Sequence, residues 1–224
     1  MLIEILFQLA NNILTMSEKE KTCFETVPQR EDIELFLSEV KNYLFPGYFS
    51  KLKGDVSIYK EKKIKHIRKL YSKYICAETT DAFISALPEI EKQLYQDLDF
   101  FMESDPAADN REEVVIAYPG FLAIMYYRVA HVLAQNEVMY VPRLITEIAH
   151  SKTGVDIHPR ARISSPFFID HGTGIVIGET SEIGKYVKIY HGVTLGALSL
   201  KDGSKLKGVK RHPTIKDYVT IYAG

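Results

Sequence analysis

The chain has 224 residues, which suits one large domain or two modest ones, and 46% of them are hydrophobic, which is ample for a packed core. Its 28 Lys and Arg residues balance 29 Asp and Glu residues to a formal charge of -1, which argues against a nucleic-acid partner. The two cysteines, Cys23 and Cys76, lie far apart in the sequence and form no ligand-spaced cluster. We therefore expect a cytoplasmic protein with reduced thiols and no bound metal.

Residues 1–16 are apolar, but they carry Glu4 and no basic residue ahead of the apolar run. The stretch is too short for a transmembrane span and lacks the layout of a signal peptide, so we expect no membrane association. It is either an amphipathic helix that packs on a partner or sequence upstream of a true start at Met16. We assign residues 1–30 to an N-terminal extension, either disordered or the product of a misplaced start.

Residues 31–153 predict a helical domain. Apolar side chains recur at helical spacing over 32–45, and Pro46 with Gly47 ends that helix. A lysine-rich helix over 59–75 follows, and then a helix over 79–101 with Thr80 or Asp81 as its cap, which Pro88 should kink or split. After a loop at 104–113, the patterns over 119–134 and 142–150 predict two more apolar helices.

Beyond Gly154 the hydrophobic period changes to six, with a phase slip of two residues after Ile175. The aliphatic series runs through Ile157, Ile163, Ile169, Ile175, then Ile177, Ile183, Ile189, Leu195, and later Ile215 and Ile221. A six-residue repeat is the signature of a β-solenoid with three short faces per coil, in which the aliphatic residue points inward. A second series, mostly small or branched, is also expected to face inward: Ala161, Phe167, Thr173, Ser181, Val187, Val193 and Val219. Residues 154–224 are therefore predicted to form stacked coils.

Polar residues interrupt the repeat outside the inward series, so we expect them to face solvent or another subunit. They are Asp156 with His158, Asp170 with His171, His191, and Arg211 with His212.

His171 is the candidate general base, because an unperturbed imidazole titrates near neutral pH. A carboxylate on its second nitrogen would fix the tautomer. We expect the adjacent Asp170 to point to the opposite face or around a corner, and prefer Asp156, somewhat under one coil earlier, about one layer or roughly 5 Å below His171. The alternative is that Asp170 and His171 only shape a turn with Gly172 and Gly174.

A loop leaves the solenoid between Leu195 and Ile215. Its cationic residues are Lys201, Lys205, Lys207, Lys210 and Arg211. Either these lysines contact a phosphate-bearing cofactor or the loop is only a solvated one. Arg211 stands where the chain returns to the solenoid, and its guanidinium is suited to hold a substrate carboxylate.

The runs V-D-I-H-P-R-A-R-I, F-I-D-H-G-T-G-I-V-I-G-E-T, H-G-V-T-L-G and R-H-P-T-I closely resemble the serine O-acetyltransferases. The likeness covers roughly residues 75–224, including Asp105-Pro106 and the P-G-F run at 119–121. It implies an α+β protein with a helical oligomerisation domain followed by a left-handed parallel β-helix. It also implies transfer of the acetyl group of acetyl-CoA to the hydroxyl of L-serine, giving O-acetyl-L-serine for cysteine biosynthesis.

The resemblance also implies roles for single residues. His171 resembles the general base and Asp156 its carboxylate partner. Asp105 and Asp170 resemble the residues that hold the substrate ammonium, and Arg211 and His212 those at the carboxylate. The CoA-binding candidates are Gly192, Gly196, Ala197 and Lys210. Backbone N–H groups or His212 are open alternatives for stabilising the oxyanion. In this family the site lies between subunits of a trimer, and trimers pair through their helical domains.

Two departures qualify the resemblance. The T-L-G-A segment with its long loop matches a long-loop subgroup. The chain stops at Gly224, in mid-solenoid, without the tail that docks O-acetylserine sulfhydrylase in many members, so we expect an incomplete β-helix. Three alternatives remain open: another hexapeptide acyltransferase with a different acceptor, a metal-dependent hydratase using histidine ligands, and a truncated non-catalytic assembly subunit.

Overall fold

The computed structural model describes residues 27–199, 201, 203–206 and 208–224. The predicted N-terminal extension, with Glu4, Met16 and Cys23, therefore lies almost wholly outside the described residues. Helices occupy the first part of what is described: α1 (Arg30–Leu44), α2 (Val56–Tyr71), α3 (Ala77–Ser104), α4 (Arg111–Ala117), α5 (Pro119–Gln135) and α6 (Val141–Thr153).

The helices pack around aromatic side chains at the positions that the sequence pattern predicts to be buried. Phe36 of α1 stacks on Tyr71 of α2, with ring centroids 4.7 Å apart, and lies 5.5 Å from Phe83 of α3. Asp55 caps α2 by accepting the backbone N–H groups of the second and third helical residues. Among the described residues no single helix has the length and apolarity of a membrane span, and α4 and α5 reach that measure only as a pair bent by 72°.

Helix α3 differs from the sequence-based prediction in two details. It continues as one helix through Pro88, so the predicted split does not occur, and its N-cap is Cys76 rather than Thr80 or Asp81. Thr80 instead lies inside the helix, buried, and its hydroxyl donates to the carbonyl of Cys76 at 3.0 Å. Phe83 and Leu87 before the proline and Ile90 and Leu94 after it are all buried in one core. The helix therefore continues despite the backbone hydrogen bond that the proline removes.

After α6 the chain winds through three parallel sheets in turn. The strands are β1 (Asp156–Ile157), β2 (Arg162–Ile163), β3 (Phe167–Ile169), β4 (Val176–Ile177), β5 (Glu182–Ile183), β6 (Val187–Ile189), β7 (Thr194–Leu195), β8 (Thr214–Ile215) and β9 (Thr220–Ile221). They pair in the orders β1-β4-β7, β2-β5-β8 and β3-β6-β9. Each sheet is one face of a coil, as the hexapeptide repeat predicts.

The phase slip has a visible cause in the strand register. Asp156 pairs with Val176, and Val176 pairs with Thr194, so the first step is two residues longer than the second. The additional residues lie in the turn between β3 and β4. Thr173 sits in that turn and is exposed, so the expectation that it faces inward is wrong. The other members of the second series are buried or half-buried.

The helices and the coils share one hydrophobic core. Tyr127 of α5 joins them, because its hydroxyl donates to the carbonyl of Ala161 at 2.6 Å and accepts the N–H of Ile163 at 3.1 Å. Gly120 lies so close to β3 that a Cβ there would stand 2.3 Å from the carbonyl oxygen of Ile169. The coils are therefore held against α5 with little freedom to shift.

Candidate active site at two corners of the coil

Most of the predicted site residues lie at two corners of the coil, at opposite ends of the strands β1, β4 and β7. We call residues 170–175 and 190–193, which enter this sheet, the His171 corner. His171 has a φ of 56°, and 72% of its side chain is exposed. The ring of His191, one coil above, lies 5.6 Å from that of His171, centroid to centroid.

Asp170 does not point away from His171, contrary to our expectation. Its Oδ2 lies 3.8 Å from Nε2 of His171, which is ion-pair distance but too long for a hydrogen bond. The reason is the left-handed backbone at His171, which breaks the alternation of side chains that an extended strand would impose. Asp170 is thus a second candidate for orienting the imidazole.

Asp156 reaches the same corner, but its carboxylate has a different partner. Its backbone N–H donates to the carbonyl of Ile175 at 2.9 Å, and the neighbouring Val155 packs directly on Gly172. The carboxylate lies 3.5 Å from the guanidinium of Arg143. Among the described residues, no ion pair joins Asp156 to His171. The predicted pair therefore shares a corner without forming its contact within one chain.

Potential metal ligands also meet beside Asp156. Ligand atoms of Glu147, His150 and Asp156 lie within 4.8 Å of one another. Arg143 pairs with both carboxylates, at 2.5 Å from Glu147 and 3.5 Å from Asp156. This guanidinium accounts for the clustering of the two acids without an ion.

The carboxylates of Asp105 and Asp170 both raise the pKa of one tyrosine, Tyr190. Burial, Asp170, Tyr222 and Asp105 together raise the pKa of Tyr190. Burial and a hydrogen bond to Asp105 also raise the pKa of Tyr118 to about 12. The structure thus brings the two carboxylates that were predicted to hold an ammonium into one neighbourhood. Tyr190 and Tyr118 are functional candidates that the sequence pattern does not reveal.

Residues 158–161, 178–181 and 210–213 lie in the turns where the chain leaves the strands of the same sheet. We call them the Arg211 corner. Arg211 donates to Oε2 of Glu179 at 2.5 Å and to the carbonyl of Leu206 at 3.1 Å. Glu179 also accepts from Arg160 at 3.1 Å. Burial alone would raise the pKa of Glu179, but the hydrogen bonds from the two guanidinium groups outweigh it and lower the pKa. Glu179 was missed because its partners come from adjacent turns rather than from its own motif.

His212 is held by Thr180. The backbone N–H of Thr180 donates to Nδ1 of His212 at 3.1 Å, and Thr180 Oγ1 lies 2.8 Å from the same nitrogen. Lys210 contacts the carbonyl oxygen of His212. The ring rests on Gly178, where a Cβ would stand 2.0 Å from its Cδ2 atom. Burial and the charge of Arg211 lower the pKa of His212.

His158 is also kept neutral at this corner. Burial, with Arg143 and Arg160 acting in the same direction, lowers its pKa to about 4. Its Nδ1 accepts the backbone N–H of Arg160 at 3.2 Å. The ring lines a cavity of about 620 Å³ between the α5–α6 connection and the turn after β1, together with Arg143, Arg160 and Tyr140.

The CoA-binding candidates are divided between the corners. Gly192 lies at the His171 corner with a φ of 78°, and its N–H donates to the carbonyl of Thr173 at 2.9 Å. Gly196 and Ala197 directly follow β7, at the other end of the strands, where Lys210 of the Arg211 corner also lies. One chain therefore does not gather all of the predicted site residues in one place.

Comparisons with known proteins bear on what these corners do. The chain is 39% identical over 232 residues to the plasmid serine acetyltransferase of Synechococcus elongatus, covering 90% of this chain and 72% of that protein. It matches the crystal structure of serine acetyltransferase 1 of Entamoeba histolytica in complex with L-cysteine with a TM-score of 0.73 and 35% identity, covering 97% of this chain and 84% of that one. A serine acetyltransferase in complex with CoA matches with a TM-score of 0.57 and 26% identity, covering 83% and 65%. No family model matches the chain.

Proposed function

The chain belongs to the serine acetyltransferase family, and on that premise we propose that it transfers the acetyl group of acetyl-CoA to the hydroxyl of L-serine. The products are O-acetyl-L-serine and CoA, and the reaction serves cysteine biosynthesis. The observation that carries the proposal is the His171 corner. It sets an exposed imidazole beside Asp170 and in the neighbourhood of Asp105, so that a base and two carboxylates are available to the hydroxyl and the ammonium of serine.

In the proposed mechanism His171 takes the proton of the serine hydroxyl as its oxygen attacks the thioester carbonyl. General-base catalysis of this kind contributes about 10²–10⁴-fold. The tetrahedral intermediate then collapses, the C–S bond breaks, and the leaving thiolate takes the proton back from His171. Asp170 or Asp156 orients the imidazole and stabilises its charged form.

Substrate orientation falls to the remaining charged groups. Asp105 and Asp170 hold the serine ammonium, and Arg211 and His212 hold its carboxylate side. Fixing both ends aims the hydroxyl, and proximity of this kind can supply roughly 7–11 kcal/mol of the barrier. Arg211 donates one terminal nitrogen to Glu179 and the other to the carbonyls of Leu206 and Val209. Serine would therefore be met by the N–H groups that remain, among them Nε–H.

We propose that a second copy of the chain completes the site. The acidic groups and His171 stand where the chain enters the strands of the β1-β4-β7 sheet, whereas Arg211 and His212 stand at the ends where it leaves them. A serine molecule cannot reach from one end of these strands to the other, so the His171 corner of one subunit would face the Arg211 corner of its neighbour. This arrangement calls for a homo-oligomer, a trimer or a pair of trimers.

We propose that CoA binds along the Arg211 corner beside Gly196, Ala197 and Lys210. Gly192 would come from the His171 corner of the facing subunit. Glycine and alanine there leave the backbone open to a ligand, and Lys210 supplies positive charge for phosphate. The acetyl group would thereby reach His171 from the subunit boundary.

We further propose that the coils form a left-handed parallel β-helix, residues 154–224, on a helical oligomerisation domain, residues 31–153. The strand orders of the three sheets and the left-handed backbone at Tyr186 and Tyr218, which turn the same corner in successive coils, support this arrangement. A cytoplasmic location is part of the same proposal.

The deciding experiment is a thiol-release assay with acetyl-CoA and a panel of hydroxyl and amine acceptors. We expect serine to be preferred and its acetylated product to be identified by mass spectrometry. Turnover without preference for serine would instead indicate an acyltransferase with another acceptor. His171→Ala, prepared in parallel, is the control for thiol release that does not depend on this site.

A further inference from the structure

The carboxylate of Glu179 joins two arginines that come from different coils. Its Oε1 accepts a hydrogen bond from Nη1 of Arg160 at 3.1 Å, and its Oε2 accepts one from Nη2 of Arg211 at 2.5 Å. Only 15% of the Glu179 side chain is exposed, so both bonds are made by a largely shielded acid. Within the part of the chain that the structure describes, Glu179 thus holds Arg211 through one nitrogen.

Another ion pair of the same chain shows the arrangement that Glu179 does not adopt. Asp97 accepts from both Nε and Nη2 of Arg128, at 2.5 and 2.7 Å. Carboxylates and guanidinium groups favour this arrangement, because two parallel N–H groups meet two oxygens. In the pair of Glu179 with Arg211 the second oxygen is turned toward Arg160 instead. Among the described residues, Nε–H of Arg211 is therefore left without a hydrogen-bond partner.

Arg160 is attached to a turn that is itself anchored. Its backbone N–H donates to Nδ1 of His158 at 3.2 Å. The carbonyl of Pro159 in the same turn accepts from Nδ1 of His131 in α5, at 2.8 Å. The side chain of Arg160 thus starts from a fixed point one coil below Glu179, which favours the observed direction of its guanidinium.

We propose that Arg160 is a positioning residue, which holds Oε1 of Glu179 and so keeps Nε–H of Arg211 available to the carboxylate of serine. The proposal rests on the proposed function, in which Arg211 holds that carboxylate. Without Arg160, Glu179 would close on both Nε and Nη2 of Arg211, as Asp97 does on Arg128. Serine would then have to displace a carboxylate of this chain before it could bind.

The first test measures turnover. Arg160→Met keeps an unbranched side chain and removes its donors, so the KM of serine should rise about fivefold while kcat stays within about twofold, the pattern of a lost binding interaction. The compound 2-aminoethanol offers a hydroxyl and an ammonium but no carboxylate, so its kcat/KM should not change. Arg160→Lys, which restores a cationic donor, should bring the KM of serine back toward that of the wild type.

Two controls accompany this test. Arg162→Met breaks the pair of Arg162 with Glu182, which also joins neighbouring coils but lies on the adjacent sheet, and it should leave the KM of serine unchanged. In a Glu179→Gln background, Arg160→Met should have no further effect, because no carboxylate remains to close on Arg211.

The second test reads the geometry without turnover. A crystal structure of Arg160→Met should show the two oxygens of Glu179 within about 3 Å of Nε and Nη2 of Arg211. A Glu179 carboxylate that keeps its single bond to Arg211 in this variant would overturn the inference.

The outcomes separate the inference from the function. In a wild-type enzyme that acetylates serine, an unchanged KM in Arg160→Met, or an equal rise in Arg162→Met, would overturn the role of Arg160 alone. A wild-type protein that does not acetylate serine would overturn the proposed function and with it the benefit to serine. The crystal structure would then still decide whether Arg160 controls the bonding of Glu179.

Discussion

The carboxylate of Asp97 accepts the backbone N–H of Phe167 at 2.9 Å, and this bond aligns helix α3 with strand β3. One helical turn further on, Phe101 packs on Phe168 with ring centroids 4.7 Å apart. At the ends of the same two elements stand Asp105, the C-cap of α3, and Asp170, which follows β3. The separation of these two carboxylates is therefore set by contacts deep in the core.

Asp97→Asn should destabilise the protein by about 3–5 kcal/mol, because it leaves a buried guanidinium without its anion. Arg128 is 3% exposed and pairs with Asp97 through two nitrogens, at 2.5 and 2.7 Å. Urea unfolding at one protein concentration measures the loss. Asp99→Asn, also on α3, breaks an exposed pair with Arg111 of α4 and should cost less than about 1 kcal/mol. Equal costs for both variants would refute the buried pair as an anchor of α3.

His171→Ala should reduce kcat by about 10² or more, because the serine hydroxyl loses its base. The two carboxylates near it can be ranked by Asp170→Asn and Asp156→Asn. Asp170 should affect the KM of serine as well as kcat, since it is also a candidate for the ammonium. Asp156 should lower kcat less severely than the loss of His171. Steady-state kinetics in both substrates measure these effects, and a His171→Ala enzyme with unchanged turnover would exclude His171 as the base.

Glu179→Gln should raise the KM of serine about tenfold, with a smaller effect on kcat, because Arg211 loses the charged partner that orients its guanidinium. Glu182→Gln is the matched control. Glu182 also pairs with an arginine of the neighbouring coil, Arg162. This pair lies on the adjacent sheet and is more exposed. If the two variants raise the KM equally, the effect belongs to surface charge and not to the orientation of Arg211.

Gly178→Ala should lower kcat at least tenfold while the chain still folds, because a methyl group there would occupy the place of the His212 ring. The backbone of Gly178 is not in the left-handed region, so alanine costs no conformational strain of its own. Kinetics and a thermal unfolding curve together check the prediction. Unaltered turnover would mean that His212 can move aside without losing its role.

Stability should fall as the pH falls from about 6.5 to about 4, partly because of His158. Its pKa in the folded protein is lowered to about 4 by burial, so between these values the unfolded chain binds the proton more readily. Because the pKa of this base is lower in the folded state than in the unfolded state, acidification disfavours the folded state. His158→Gln should reduce the total loss of stability over this pH range by about 1–2 kcal/mol after allowance for solvent screening. Parallel stability curves for the two proteins would contradict the assignment.

The sequence predicts the coil well because its signal is local and repeated. Each aliphatic rung from Ile157 to Leu195 is buried in the structure, and the exposed position of His171 follows from its place outside that series. The orientation of Asp170 could not be predicted, since it depends on a left-handed backbone at a non-glycine residue. Glu179 and Thr180 escaped notice for another reason: their partners, Arg211 and His212, become neighbours only when the coil closes after the long loop.

That loop, residues 196–213, replaces the four-residue turn 178–181 found one coil earlier, and the ladder resumes in register when Thr214 pairs with Glu182. The strand pairings of β7 and β8 thus fix the two ends of the loop on either side of one corner, whatever sequence lies between them. Doubling the length of a flexible loop costs only about 0.6 kcal/mol of closure entropy. The coil can therefore carry connections of very different length at this corner, and a designer could graft a different acceptor-recognition segment between Leu195 and Arg211 without rebuilding the scaffold.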